Sequence, residues 1–418
     1  MKYINFEDIN VNPDWCFKNV RSVEQWTHGY HRYPAKFLPN IVKKLIENYA
    51  TNNETIADLF AGCGTTLVEA KIHGITSIGT DINPVAQLIT KVKTNPICPT
   101  LLEDIFKHLI ESFSLFNVDR YKNIELHERI DYWFRQEEKE KIAFLYEQVV
   151  GINNENLIDF FLVCLSHTLK NCSRWLQSST KPQIDPNKKI SEPFHAFEFH
   201  CKKMIAKNAE FYKELQHNEF INTPCEIKLE DARNTSIESG SIGTIITSPP
   251  YVTSYEYADI HQLTGYWYDY FTDLRAFRRE FIGTFYSSNQ NKQTNSKLGQ
   301  KIVCELARKD DRMACEVANY FNDMEVVGKE MYRILKKGGH ACIVIGNTTY
   351  KDVKIKSAEV FFEILKLVGL KKETVIKRSI PHKLMPTIRD KNTGKFTKLD
   401  NANSKLVYPE EYILVVKK

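Results

Sequence analysis

The chain has 418 residues, 42% of them hydrophobic and 26% charged, with a formal net charge of +5. That length holds one large or two ordinary domains, the balance excludes a largely disordered chain, and the small net charge confines any basic nucleic-acid face to local segments. Ten scattered cysteines without a CxxC pair point to reduced thiols in a cytosolic protein, and no apolar run suits a membrane helix or a signal segment.

In chain order, an aromatic and basic opening leads into an amphipathic helix predicted over 38–49. IADLF is a short apolar strand running into GCGTT, residues 65–73 read as a helix, and 76–81 (TSIGTD) is a second strand ending in a carboxylate. NPVAQLITKVK starts the next helix, with Asp81, Asn83 and Pro84 as turn and first-turn residues. Strand, glycine turn, helix, strand and acid together make half of a Rossmann-like unit. The pattern stops near residue 98. From about 100 to 220 the periodicity is helical, in EKEKIAFLYEQVV, LIDFFLVCLSHTL and HAFEFHCKKMIAKNAEFYKEL, which predicts a helical insertion. Strands then resume at 225–232 (CEIKLEDA), SIGTIITSPPY, HACIVIGN, 372–380 and 411–416, with helices over 319–336, followed by LKKGG, and 357–368. The expected fold is α/β, a Rossmann-like open sheet interrupted by one large helical insertion.

DLFAGCGTTLVEA places Gly62 and Gly64 where strand passes to helix, so the backbone can turn tightly and approach a ligand. A phosphate fits poorly, because no Lys follows the turn and Asp58 stands beside it. Asp81, at the next strand end, is placed to accept both ribose hydroxyls of an adenosine-containing molecule. An ordinary strand–helix turn capped by polar residues has the same local signature. Asp231 repeats the acid one strand later, either for an adenine amino group or as a helix cap.

The following strand ends in Ser248, Pro249, Pro250 and Tyr251. Two prolines remove backbone donors and hold their carbonyls stiffly. A rigid carbonyl beside a hydroxyl accepts hydrogens from an amine, and the tyrosine offers a flat face to a planar base. An amine conjugated to a ring is a weak nucleophile, and accepting its hydrogens strengthens it. With an adenosine ligand adjacent, the fitting electrophile is a sulfonium methyl, transferred without a covalent intermediate. A carbon-5 mechanism through a thiolate has no place here. Pro224-Cys225 precedes the Asp231 strand, reads as structural, and TSPPY carries no thiol.

DLFAGCGTT, the acid of GTDINP, LEDA and TSPPY resemble the cofactor and catalytic motifs of amino-group DNA methyltransferases, particularly the cytosine-N4 type, and HRYPAKFLP at 31–39 is similar to the family's stretch before the glycine turn. The resemblance covers about 22–98 and 225–350. It implies an S-adenosylmethionine pocket shaped by Asp58, Phe60, Gly62 and Gly64, with Asp81 on the ribose, Asp231 on the adenine and Phe37 against the methionine part. It further implies that Ser248 and the Pro249 carbonyl hold the target amine beside Pro250, while Tyr251 stacks on the base. Family members acting on adenine-N6 more often carry Asp or Asn where Ser248 stands. The implied division is 1–98 with the cofactor motifs, 99–220 as a helical insertion, and 221–418 as the rest of the catalytic domain. The implied partners are double-stranded DNA and a cognate restriction endonuclease. No metal is expected, since His28 and His31 have no acid or cysteine at ligand spacing.

A base must leave the duplex to enter such a pocket, so the protein has to grip the flanking backbone. Residues 371–405 hold ten Lys/Arg against three Asp/Glu, including Arg389, Lys391 and Lys395. The stretch NCSRWLQSSTKPQIDPNKK adds Arg174, Lys181, Lys188 and Lys189, and RAFRREFIGTFYSSNQNKQTNSK is a third candidate. Each is equally a solvated surface. Tyr255, Tyr257 and His261 stand between pocket support and packing. Adenine-N6 methylation, methylation of structured RNA, a nucleotide-dependent oxidoreductase and a silent DNA-binding module are the alternatives. The last two leave TSPPY unexplained.

Overall fold

The computed structural model describes residues 5–18, 20, 24–252, 256–284, 290–380, 388–390, 400–402, 404–406 and 410–418, with backbone alone at 388–390 and 404–406. The apolar runs become strands β1 (Thr55–Asp58), β2 (Ser77–Asp81), β3 (Cys225–Leu229), β4 (Ile242–Thr247) and β5 (Leu335–Ile345). They continue as β6 (Thr348–Tyr350), β7 (Val353–Ile355), β8 (Lys371–Ser379), β9 (Ile388–Asp390), β10 (Ser404–Leu406) and β11 (Glu410–Lys417). Seven strands form one sheet in the order β3–β2–β1–β4–β5–β11–β8. The five from β3 to β5 are parallel, and β11 lies antiparallel between β5 and β8. The order turns back on itself between β1 and β4, and the crevice at the carboxyl ends of two such strands is where open sheets bind ligands.

Helices α1 (Pro39–Tyr49), α2 (Thr65–Ile72) and α3 (Pro84–Thr94) accompany the first strands. Between β2 and β3 the chain is helical, as α4 (Pro99–Ser112), α5 (Val118–Tyr121), α6 (Glu128–Trp133), α7 (Gln136–Val150), α8 (Glu155–Leu169) and α9 (Pro193–His217). Short α10 (Tyr257–Ile260), α11 (Gln262–Trp267) and α12 (Leu274–Glu280) follow β4, and α13 (Lys297–Ala307), α14 (Asp311–Ile334) and α15 (Ser357–Leu367) cover the sheet. Their starts follow local chemistry. Asn83 accepts from the Val85 amide at 3.0 Å ahead of Pro84, and Asp310 caps α14 through the Met313 amide at 3.1 Å.

The period-two pattern sets the layers. Tyr412, Leu414 and Val416 of β11 join the cluster containing α13–α15 residues, whereas Ile413 and Val415 join the one containing Ile41, Val42 and Leu45 of α1. Each such aliphatic side chain contributes about 1.5–3 kcal/mol on burial. A further cluster unites α3 with α4–α12, from Val85 and Ile89 through Phe160 and Phe197 to Trp267. LKKGG, expected as a break between helix and strand, opens β5 instead. Leu335 pairs with Ile242, and the register shifts before Thr244 pairs with His340. Gly338 takes φ +84°, and a Cβ on Gly339 would lie 2.8 Å from the Gly243 carbonyl. Two glycines thus let one strand absorb a bend that looks like a turn in sequence.

Candidate active site

The carboxyl ends of β1, β2 and β4 converge. Asp58 closes β1 and is buried, accepting from Thr247 Oγ1 at 2.6 Å and from the Phe60 amide at 3.1 Å. Burial outweighs these donors and pushes its carboxyl up to about 6. Asp81 closes β2, half-buried, and takes the Gly62 amide at 2.9 Å on one oxygen and the Asn83 amide at 2.9 Å on the other. Burial also raises it to about 6, with Asp58 adding to the effect.

The turn between them needs its glycines. Gly62 and Gly64 have φ +52° and +77°, in the left-handed region. A Cβ on Gly64 would lie 2.7 Å from Thr90 Cγ2, and one on Gly62 would lie 3.3 Å from Tyr33 Oη. Tyr33 is thus the HRYPAKF residue lying against the turn. Phe37 is half-buried against the cluster of Trp15, Leu38 and Ile41. The Tyr33 ring stacks on Tyr257 at 5.7 Å and lies 5.1 Å from His261. Asn83 gives its Oδ1 to the Val85 amide, so its Nδ2 donates to His261 Nδ1 at 2.8 Å, and the imidazole carries its hydrogen on Nε2. That Nε2 is buried without a partner among the described residues, and burial keeps the ring neutral, down to about 4.

Asp231, two residues beyond β3, accepts the Arg233 amide at 2.8 Å and the Arg233 Nε at 2.9 and 3.0 Å. Arg233 also reaches Asp323 at 3.1 Å. The guanidinium takes up most of the carboxylate's acceptor capacity, so the geometry favours a turn-holding role over an adenine contact. Cys225 accepts from Ser77 Oγ at 3.3 Å, and burial raises its thiol. His28, read in sequence as lacking an acid or cysteine at ligand spacing, meets Glu69 at 2.8 Å in the folded chain.

Beyond β4, three hydroxyls pin the proline loop. Ser248 Oγ donates to the Val344 carbonyl at 3.0 Å, Tyr320 Oη donates to the Pro250 carbonyl at 2.9 Å, and Tyr251 Oη donates to Glu411 Oε2 at 2.9 Å. Tyr33, Thr247, Tyr320, Val344 and Glu411 escaped the sequence reading. Tyr33 and Thr247 had a signal, their places in HRYPAKF and TSPPY; the others enter through strand register and helix packing.

The basic candidates separate. Arg174 donates to the Asp131 carbonyl at 2.9 Å, and Lys188 Nζ to the carbonyls of Lys170 at 2.5 Å and Trp175 at 2.7 Å. Both hold the 171–190 loop, and burial with the neighbouring Lys170 brings the Lys188 amine down to about 8. Lys181 and Lys189 are exposed. Tyr255, Lys391, Lys395 and the side chain of Arg389 lie outside the described residues.

The double-glycine turn, the carboxylates of Asp58 and Asp81 and the proline loop thus stand together at the carboxyl ends of β1, β2 and β4, the place where open sheets bind ligands. The DNA methylase family model of N6/N4 methyltransferases matches residues 2–92 and 242–418, and the chain belongs to this family. The match leaves out the stretch holding α4–α9 and β3. Among relatives, the Type II methyltransferase M.MvaI of Kocuria varians is 26% identical over 100% of this chain and 99% of its own length. M.BsoBI of Geobacillus stearothermophilus, also a Type II methyltransferase, is 27% identical over 57% of this chain and 52% of its own. A solved S-adenosylmethionine-dependent methyltransferase from Methanosarcina mazei aligns over 93% of this chain and 98% of its own, with 9% identity and a TM-score of 0.30. The protein is therefore a DNA amino-group methyltransferase, and S-adenosylmethionine is its cofactor. The residues present fit that molecule, in the half-buried Asp81 oxygens and the turn that a Cβ would fill.

Proposed function

We propose that the chain methylates the N4 amine of a cytosine flipped out of double-stranded DNA. The observation that carries this reading is the β4 strand end. Ser248 spends its hydroxyl hydrogen on Val344, so its Oγ faces a substrate as an acceptor alone. Oγ and the Pro249 carbonyl take the amine hydrogens, raise electron density on nitrogen and aim its lone pair, while Tyr251 stacks on the ring. Asp81 accepts the ribose hydroxyls, Gly62 and Gly64 leave room for the backbone to approach, and Asp58, Phe60 and Phe37 shape the walls. Bound S-adenosylmethionine supplies an electrophilic methyl group, and transfer leaves the amine nitrogen with one carbon more and one proton fewer. Serine here, where family members acting on adenine more often carry Asp or Asn, supports cytosine. Lys181, Lys189 and the run with Arg389, Lys391 and Lys395 grip the phosphates. The Type II designation of the relatives supports a modification role beside a restriction endonuclease for the same site.

The test is methyl transfer from labelled S-adenosylmethionine to unmethylated genomic DNA, followed by nucleoside mass spectrometry. N4-methyldeoxycytidine is the expected product. N6-methyldeoxyadenosine would overturn the inference drawn from Ser248 and keep the pocket. No modified deoxynucleoside, with cofactor binding intact, would overturn the DNA cytosine reading as a whole.

A further inference from the structure

Tyr251 crosses the end of β5 and reaches β11. A Cβ on Gly346, the residue after β5, would fall 2.7 Å from Tyr251 Cε2, so the missing side chain leaves room for the ring. At the far end its hydroxyl donates to Glu411 Oε2 at 2.9 Å. Glu411 stands opposite Arg378 in the β11–β8 register, and its other oxygen is paired with the Arg378 guanidinium. Arg378 Nε in turn donates to the Trp15 carbonyl at 2.6 Å. Arg378 and Glu411 are 2% and 8% exposed.

Stability is a weak account of this arrangement. A well-packed apolar pair of similar volume would serve the strands as well or better, because two buried charges lose their hydration. What an apolar pair lacks is a fixed acceptor at the tip of Tyr251, held in place by a guanidinium. We propose that Glu411, held by Arg378, is a positioning residue: it locks the Tyr251 ring beforehand as the face on which the flipped base lands. This rests on the reading of Tyr251 as the stacking residue. A ring already held loses less conformational freedom when the base arrives, which favours the productive geometry. Sequence gives no hint of it, since Arg378 meets Glu411 through the register of β8 against β11 and Tyr251 reaches them only across the end of β5.

The experiment compares Tyr251→Phe, Glu411→Gln, their double variant and Tyr251→Ala in the full chain. Readouts are kcat, cofactor affinity, thermal midpoint and emission from a fluorescent analogue at the methylated position in duplex DNA (pyrrolocytosine, or 2-aminopurine if adenine is the target). Tyr251→Phe removes one oxygen and leaves the ion pair whole, so it carries the test even if Glu411→Gln folds poorly. A hydrogen bond to a charged acceptor predicts about a tenfold fall in kcat for each single variant, with cofactor affinity unchanged. The double variant should fall no further, because both changes break one link. The stacked analogue, quenched in the unaltered complex, should brighten. Full kcat and unchanged emission in Tyr251→Phe, beside an inactive Tyr251→Ala, would overturn the anchor and spare the stacking role. Full activity in Tyr251→Ala would overturn the stacking role itself.

Discussion

Asp58 and Asp81 are carboxyls whose burial raises them from 3.8 to about 6. A folded-state pKa above the unfolded one means the native chain holds its protons longer. The associated stability is full below the ordinary value and is lost as pH rises through about 6. The unliganded protein should therefore melt lower at neutral than at mildly acidic pH. Cofactor binding should tighten over the same window, because ionised Asp81 is the better acceptor for ribose hydroxyls. Thermal melts and calorimetric titrations across that range check both, and Asp81→Asn should flatten the second profile. These acids were legible because they close apolar strands beside a glycine turn. Asp231 looked alike, yet Arg233 two residues on claims it. Glu411 was invisible, its partner Arg378 lying in another strand.

At the scale of elements, Gly64 joins α2 to α3. Ala there would have φ +77° and a Cβ 2.7 Å from Thr90 of α3. Gly64→Ala should lose about 1–3 kcal/mol and weaken cofactor binding, because the helices must part at the turn. Gly240 is the comparison. It has φ +70° with nothing within 4 Å of a Cβ, so Gly240→Ala should cost only about 1 kcal/mol of backbone strain and leave affinity unchanged. Denaturant midpoints with cofactor titrations distinguish them. Most strands and helices were readable from period and caps, since the apolar faces they bury are continuous in sequence. The bend inside β5 was not, because neighbouring β4 decides its path.

For the whole molecule, the helical segment is joined to the crevice side by packing. Tyr30, Cys63, Val85, Leu88 and Ile89 share one buried cluster with Phe160, Phe161 and Phe197 of α8 and α9. Excising 99–217 with a short bridge should expose that face, raise binding of a hydrophobic dye and abolish cofactor affinity. A soluble excised chain with unaltered affinity would show that the helices are dispensable cover. The helical periodicity was plain in sequence. Which face of α3 it covers was not, because that depends on packing across distant segments.

The place of β11 reaches back into synthesis. It is the last named strand to leave the ribosome, yet in the sheet it lies inside, between β5 and β8. A nascent chain that has delivered the turn at Gly62 and the loop at Ser248 still lacks Glu411. On the roles proposed above, the residues around the methyl donor are made before the residue that anchors Tyr251. In those proposed roles, translation delivers the two halves of the site in sequence, the donor's turn first and the base's anchor last.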